Sequence, residues 1–589
     1  MMTKSDFIKS RISKMTLAQK VGQCLVLGHV GTICTPEILR RIREYFPAGI
    51  RGGLYWRQRD ARHDPGCTPP ELAHRVQRTP RGTTFDCLPD LPVPHCTNAE
   101  YCEMLNRLKR EALNNSLGLT LHLTFDHEGD QNADYYRGGM NQTPNALGLA
   151  RLKDPKLVYN VFKAIGKQYA ALGFSWTHSL VLDVKTNPMN PEINIRSFGQ
   201  DADTVAEYAV QAMRGWRDAG IICTGKHFPG RGESVSDAHS GLPVINISRQ
   251  QMEVHLAPYR RLIAEGVPAI MTAHTCYPQL EPADIPATLS KRILTGILKD
   301  ELGFQGVITT DAMEMGGILA RFELADACVM ALNAGADLLL LRDGGQIIPE
   351  VVPALVRAAE EGRIPIERIE DANRRVLGVK YDYGFFDKPP KGGIRDVKKA
   401  GDGINDPWVI KTITDASKRV VQVIRDEQKI LPLKKGTKVL LIEQVHLQHL
   451  YTNTTQCHPS LMWMKMLKHS DKVGSVECNM TYPPEDQARA KARVDEADVI
   501  VMTNYYGRRF LGGNEFTQKV HTWGKPVIVL TNSPYPFTVC PEYKTVICTY
   551  GCSNYCLEQA ANIIYGAGAK ASGRLKKSAR KLPGKTGKK

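Results

Sequence analysis

Eight short apolar runs, spaced far enough apart for a helix between most neighbours, constrain this chain more than any other feature. They fall near residues 23–28, 52–55, 119–125, 176–184, 221–224, 269–273, 306–310 and 337–341. Apolar runs this short, with little polar alternation, fit strands covered on both faces, as in a parallel sheet. Helical patterns at 204–220, 250–265 and 290–302 supply the crossovers that parallel strands require. Eight strands alternating with helices predict a (β/α)8 TIM-like barrel of the α/β class.

Ionisable residues cluster at the ends of those runs. Asp126 and Glu128 follow the third, Asp183 lies near the end of the fourth, Lys226 and His227 follow the fifth, His274 the sixth and Asp311 the seventh. A barrel of this kind builds its site at the carboxyl ends of its strands, so these side chains are expected on one face. Polar residues commonly follow strands, which accounts for one or two of them. It accounts poorly for the recurrence of DHEG, KH, AH and TTD.

The densest stretch is TGKHFPGRGESVSDAHSGL, residues 224–242. Pro229, Gly230 and Gly232 break helix and ladder alike, which places Glu233 to His239 on a loop. Asp237 and His239 stand two residues apart and project to one side of an extended segment. There the carboxylate can accept one ring N–H and leave the other nitrogen free for proton transfer.

The same stretch resembles glycoside hydrolase family 3, and within it the β-N-acetylglucosaminidase branch, whose pattern is approximately KHFPGHG followed by a DSH element. Here it reads KHFPGRG and DAH, with Arg231 and Ala238 as departures. The resemblance extends through MTLAQKVG (15–22), NPEIN and RSFG (190–199) and LGFQGVITTDAMEM (302–315), and more faintly to IRDEQKILPL (424–433) and GAGAKASGRL near the end. It implies that Asp311 is the catalytic nucleophile and that Asp126, Arg196, Lys226 and His227 bind the sugar's hydroxyls. A third departure is EGD at 128–130, where the family usually carries EGG.

Retaining glycoside cleavage needs a carboxylate that attacks the anomeric carbon and a group that first protonates the leaving oxygen, then activates water. Asp311 and His239 fit those two roles, with Asp237 as the carboxylate that tunes the imidazole. Such a set requires no metal and no organic cofactor. The expectation is therefore an exo-acting β-N-acetylhexosaminidase that takes terminal N-acetylglucosamine from soluble glycoconjugates such as muropeptides. The alternatives are a β-glucosidase or a phosphorylase of the same family, or a barrel that binds sugar without turnover.

The net charge of +16 raises nucleic acid as a partner, but much of the excess follows Lys570, in a basic tail. A solvated end explains it better, and the expected partner is a small carbohydrate and not nucleic acid. No apolar run reaches the ~20 residues of a membrane span, and residues 1–20 lack an apolar leader segment. With 15 scattered cysteines, this predicts reduced thiols in a cytoplasmic protein without a disulfide framework. Cys67, Cys87, Cys96, Cys102 and His95 form no CxxC pair, so their segment is read as a surface excursion and not a zinc site. Cys548, Cys552 and Cys556, four residues apart, are expected on one helix face.

The domain reading is a barrel over 1–387 with an insertion at about 57–103, a Pro/Gly/Lys-rich linker at 388–410, an α/β sandwich over 411–572, and the tail 573–589 as a disordered end. Strands of the second unit are expected near 420–424, 438–442, 499–503, 526–531 and 545–549, with helices at 485–497 and 557–565.

Overall fold

The computed structural model describes residues 2–30, 34–53, 97–114, 117–129, 133–134, 140–238, 241–342, 347–386, 391–445, 461–507 and 513–567. Eight parallel strands close into a barrel in chain order. They are β1 Leu25–Val30, β2 Gly49–Gly53, β3 His122–Phe125, β4 Trp176–Thr177, β5 Ile222–Phe228, β6 Ala269–Thr272, β7 Val307–Ala312 and β8 Leu338–Leu341. Closure comes from β1 pairing with β8, Leu25 opposite Leu339. At the amino-terminal end of the barrel, Lys380 from the helix Ile366–Asp382 donates to the carbonyls of Ala48 (2.8 Å) and Thr120 (2.6 Å). Burial brings that ammonium down to about 7.

The opening helix Leu17–Gly22 and two of the crossover helices are set by their first turns. Thr16 with Gln19, Thr97 with Glu100 and Ser248 with Gln251 form reciprocal capping boxes, so each helix starts where its orphan N–H groups are satisfied. Three expectations shift. The second strand starts at Gly49, not residue 52, which brings Arg51 into the ladder. The fourth pairs only over Trp176–Thr177, and the run to Val184 continues buried with one isolated bridge, Val181 to Lys226. The fifth runs to Phe228, so Lys226 and His227 are strand residues and do not follow it.

A second, six-stranded sheet has the order β11-β10-β12-β13-β14-β9. Its strands are β9 Gln422–Asp426, β10 Val439–Val445, β11 Val473–Asn479, β12 Val499–Thr503, β13 Val527–Thr531 and β14 Thr545–Cys548. Five are parallel, and β9 alone runs antiparallel along β14. Residues 391–406, within the expected linker, are pinned to the barrel: Asn106 Nδ2 donates to the Arg395 carbonyl (2.8 Å) and Lys109 Nζ to the Gly393 carbonyl (2.6 Å). The two units meet closely where Gly148 lies against Tyr550. A Cβ at Gly148 would sit 2.5 Å from that of Tyr550, and the neighbouring Asn145 N–H donates to the Tyr550 carbonyl (3.0 Å).

The described cysteines are free thiols, all buried except the half-buried Cys540. Cys548 ends β14, Cys552 lies in the turn beyond it and Cys556 is in the helix Asn554–Tyr565, so the expected single helix face of three cysteines is not formed. Cys102 is buried in the helix Asn98–Leu113, and the remainder of the zinc reading, with most of the insertion and all of the tail 573–589, lies outside the described residues. No described helix is long and apolar enough to cross a membrane.

Candidate active site

Parallel strands deliver the site residues to one rim. Asp126 is the first residue past β3, Lys226 and His227 are near the end of β5, and Asp311 is the last residue but one of β7. Arg196 ends the short helical turn Asn194–Arg196 beyond β4. Ions this far from bulk water persist only where paired, and here signs alternate along a continuous chain. Arg51 Nη2 reaches Asp134 (2.9 Å) and Asp126 (2.8 Å), and Lys226 Nζ reaches the second oxygen of Asp126 (3.1 Å) and also Glu128. Glu128 receives Arg196 through Nε (2.5 Å) and Nη2 (3.1 Å), and Arg196 in turn stands 3.7 Å from Glu192, which pairs with Arg231.

Electrostatics divide these carboxyls. Burial alone would raise Asp126 and Glu128, but Arg51 and Lys226 on the first, and Arg196 and Lys226 on the second, outweigh it and keep both ionised well below the usual carboxylate range. Burial dominates at Asp134 and raises its carboxyl, with Arg51 opposing. Exposure divides them further. The side chains of Asp126 and Asp311 keep 22% and 17% of their surface, whereas Glu128, Asp183 and Glu192 keep 2%, 0% and 1%. The first two can meet a ligand; the last three hold other residues.

Asp183 holds His227. Its Oδ2 lies 2.7 Å from His227 Nδ1, and its Oδ1 accepts the Arg231 N–H at 2.7 Å. With Nδ1 so engaged, His227 Nε2 is turned to Asp311, 3.9 Å from Oδ2. Burial pushes the Asp311 carboxyl up, and the neighbouring His227, His274, Arg231 and Lys226 pull it down further, so it is held as a carboxylate well below its ordinary range. His274 secures the strand that carries it, with Nε2 3.0 Å from the Ala312 carbonyl and Nδ1 2.8 Å from the Thr288 hydroxyl. Burial lowers His274 to about 4, leaving a neutral ring at pH 7.

Residues 229–238 have no strand or helix, as the Pro and Gly residues dictate. Their path is fixed by side chains: Asn190 Nδ2 donates to the carbonyls of Arg231 (2.8 Å) and Gly232 (3.1 Å), and the Gly317 N–H donates to the Ala238 carbonyl (3.0 Å). Asp237 is half-buried on this loop, and His239 lies outside the described residues. The structure thus gathers Asp126, Arg196, Lys226, His227 and Asp311 in one cluster. It adds Arg51 and Asp134, which the sequence reading missed, and Glu192, which that reading held only as one residue of the NPEIN motif. A charged residue inside the apolar run GIRGG was a readable sign for Arg51, because an arginine in a buried strand needs a carboxylate partner.

A (β/α)8 barrel with a carboxylate-lined rim does not by itself name a function, and comparison with known proteins supplies the family. Residues 94–379 match the glycosyl hydrolase family 3 N-terminal domain. A β-hexosaminidase of Idiomarina loihiensis is 30% identical over 285 residues, 48% of this chain and 83% of that protein. The β-hexosaminidase A of Pseudoalteromonas piscicida is 30% identical over 338 residues, 53% of this chain and 55% of that protein. A family 3 β-N-acetylglucosaminidase from Paenibacillus sp. str. FPU-7 superposes with a TM-score of 0.77 at 25% identity, covering 95% of this chain and 98% of its own. The chain belongs to glycosyl hydrolase family 3. It spans about half the length of the curated relatives it matches first, 55% of the Pseudoalteromonas protein.

Proposed function

We propose that the protein is a retaining exo-acting glycoside hydrolase that removes β-linked N-acetylglucosamine from the non-reducing end of small soluble glycoconjugates. The observation that carries this reading is the Asp311 carboxylate: ionised, partly open to solvent, and 3.9 Å from a histidine ring oriented by Asp183. Attack by a carboxylate on the anomeric carbon expels the aglycone oxygen and forms a glycosyl-enzyme, which water then opens. His239 is assigned the proton transfers, giving a proton to the leaving oxygen in the first step and taking one from water in the second, with Asp237 as its tuning carboxylate. Asp126, Arg196, Lys226 and His227 are assigned the sugar's hydroxyls. In support, they lie along the same ion-paired rim as Asp311. The names of the hexosaminidase relatives support the choice of sugar.

The test is release of nitrophenol from the β-N-acetylglucosaminide and from the β-glucoside, with and without phosphate, and the anomer of the first product read by NMR. The proposal expects preference for the N-acetylglucosaminide, no dependence on phosphate and initial β product. Faster cleavage of the glucoside, a glycosyl phosphate product, or initial α product would each replace it with a different activity.

A further inference from the structure

Glu192 occupies a position that the chemistry proposed above does not use. It is buried to 1% exposure and lies in the turn between β4 and Arg196. One carboxylate oxygen receives Arg231 Nη2 and stands 3.7 Å from Arg196 Nη1; the other is 3.4 Å from the Ala238 N–H. Its own carbonyl lies 3.3 Å from Arg196 Nη1. One side chain therefore ties the start and the end of the loop 231–238 to the arginine of the rim.

The backbone that carries Glu192 is held from the second unit. Tyr506, just past β12, donates its hydroxyl to the Pro191 carbonyl at 2.5 Å, with the Glu192 carbonyl at 3.5 Å. Ser533, just past β13, donates to Asn194 Oδ1 at 2.7 Å, fixing a residue whose φ of 36° is left-handed. Tyr506 is itself rigid, because its N–H and carbonyl both pair with the Asn532 amide, at 2.8 and 2.9 Å. The carboxyl ends of β12 and β13 thus face the same loops as the carboxyl ends of the barrel strands. Clefts of parallel α/β sheets open at that end.

We propose that Glu192 is a positioning residue that sets Arg196 and the loop 231–238 against each other, and that the second domain takes part in sugar binding through it by clamping its backbone with Tyr506 and Ser533. This rests on the reading of Arg196 as a sugar-binding residue. The clamp contributes no atom to the sugar, so its loss acts on the alignment of Arg196 in both the bound and the reacting complex.

Tyr506→Phe removes one hydroxyl and leaves the ring, and one lost hydrogen bond of this kind should raise KM for the nitrophenyl N-acetylglucosaminide about three- to tenfold with kcat within about twofold. Ser533→Ala should act in the same sense. Glu192→Gln strips the buried Arg231 of its carboxylate and should act more strongly; if it fails to fold, the two second-domain variants still decide the matter. Where it folds, Tyr506→Phe added to Glu192→Gln should raise KM little beyond Glu192→Gln alone, because both loosen one turn. Unchanged KM in both Tyr506→Phe and Ser533→Ala, or fully multiplicative effects of Tyr506→Phe and Glu192→Gln, overturns the inference while wild-type turnover keeps the proposed activity. A wild type inactive on the glycoside refutes the activity itself, and the inference with it.

Discussion

Arg51 offers the sharpest test of how the rim is held together. Its guanidinium, 6% exposed, serves two carboxylates at 2.8 and 2.9 Å. If it is replaced by methionine, Asp126 keeps Lys226 at 3.1 Å, whereas among the described residues Asp134 keeps the Asp126 backbone N–H at 2.7 Å and the weaker pull of Arg342. The uncompensated charge therefore falls on Asp134. Removing one partner of a buried pair costs about 3–5 kcal/mol, and the partial exposure of both carboxylates points to the lower end, about 3 kcal/mol. Asp134 can relieve part of that cost by taking a proton, since its carboxyl is already raised in the intact protein. A group whose folded-state value is raised destabilises the fold as pH rises above its unfolded value, so Arg51→Met should be less damaging at pH 5 than at pH 7.5. Asp134→Asn should rescue it by removing the stranded charge. Urea denaturation of wild type, both single variants and the double variant at the two pH values measures the coupling, expected at about 1.5 kcal/mol or more at pH 7.5. Additivity within about 0.5 kcal/mol, or equal damage at both pH values, would refute the account of Arg51 as the shared counter-ion.

Three further outcomes are expected. Asp311→Asn should abolish turnover of an activated glycoside while thermal melting stays close to wild type, because the nucleophile is lost and not the core; retention of a substantial fraction of the rate would move the nucleophile elsewhere. His239→Ala should slow an unactivated glycoside by about 10²–10⁴-fold yet give a burst with a nitrophenyl glycoside, and added azide should restore turnover as the β-glycosyl azide; equal slowing of both substrates without azide product removes His239 from the acid/base role. Glu443 on β10 faces the backbone N–H groups of Met462, at 2.8 Å, and Trp463, yet burial outweighs them and raises it to about 8 from an ordinary 4.5. An acid raised in the folded state destabilises progressively from its unfolded value up to its folded one, so wild type should lose up to about 5 kcal/mol between pH 4.5 and 8 and Glu443→Gln should lose less; parallel pH–stability curves from melts of the two proteins would contradict this.

Sequence periodicity located the barrel because a strand covered on both faces must be apolar, and the short runs near 269–273, 306–310 and 337–341 coincide with β6, β7 and β8 to within two residues at each end. It failed where polarity and pairing part company. Lys226 and His227 were placed after the fifth run because its apolar residues stop before them, yet partners at the barrel mouth let β5 continue through them. The run to Val184 is apolar because it is buried, not because it is laddered. The edge strand β11 escaped notice because only three of its seven residues are buried and no apolar run marks it. Asp311, Lys226, His227 and Asp126 were legible from their positions at strand ends and from the family motif. Glu192 was visible only as part of the NPEIN motif; its contacts were not, since they join segments that only the fold brings together, and no local pattern encodes that.

In both units the first strand pairs with the last, which closes the barrel and adds one edge strand to the open second sheet. Leu25 of β1 pairs with Leu339 of β8, and Asp426 of β9 pairs with Thr545 of β14. Lys380 fastens carbonyls made 260 and 332 residues before it. During synthesis on the ribosome, neither sheet can complete its hydrogen bonding until its final strand has emerged, and the barrel spends most of its own translation with unpaired edges that its last strand removes. Contacts this distant in sequence also place the chain among slow folders, whose rate is set by loop closure more than by local helix formation. Once β8 has closed on β1, however, the barrel presents no open edge to a second nascent chain while the remaining residues are still being made.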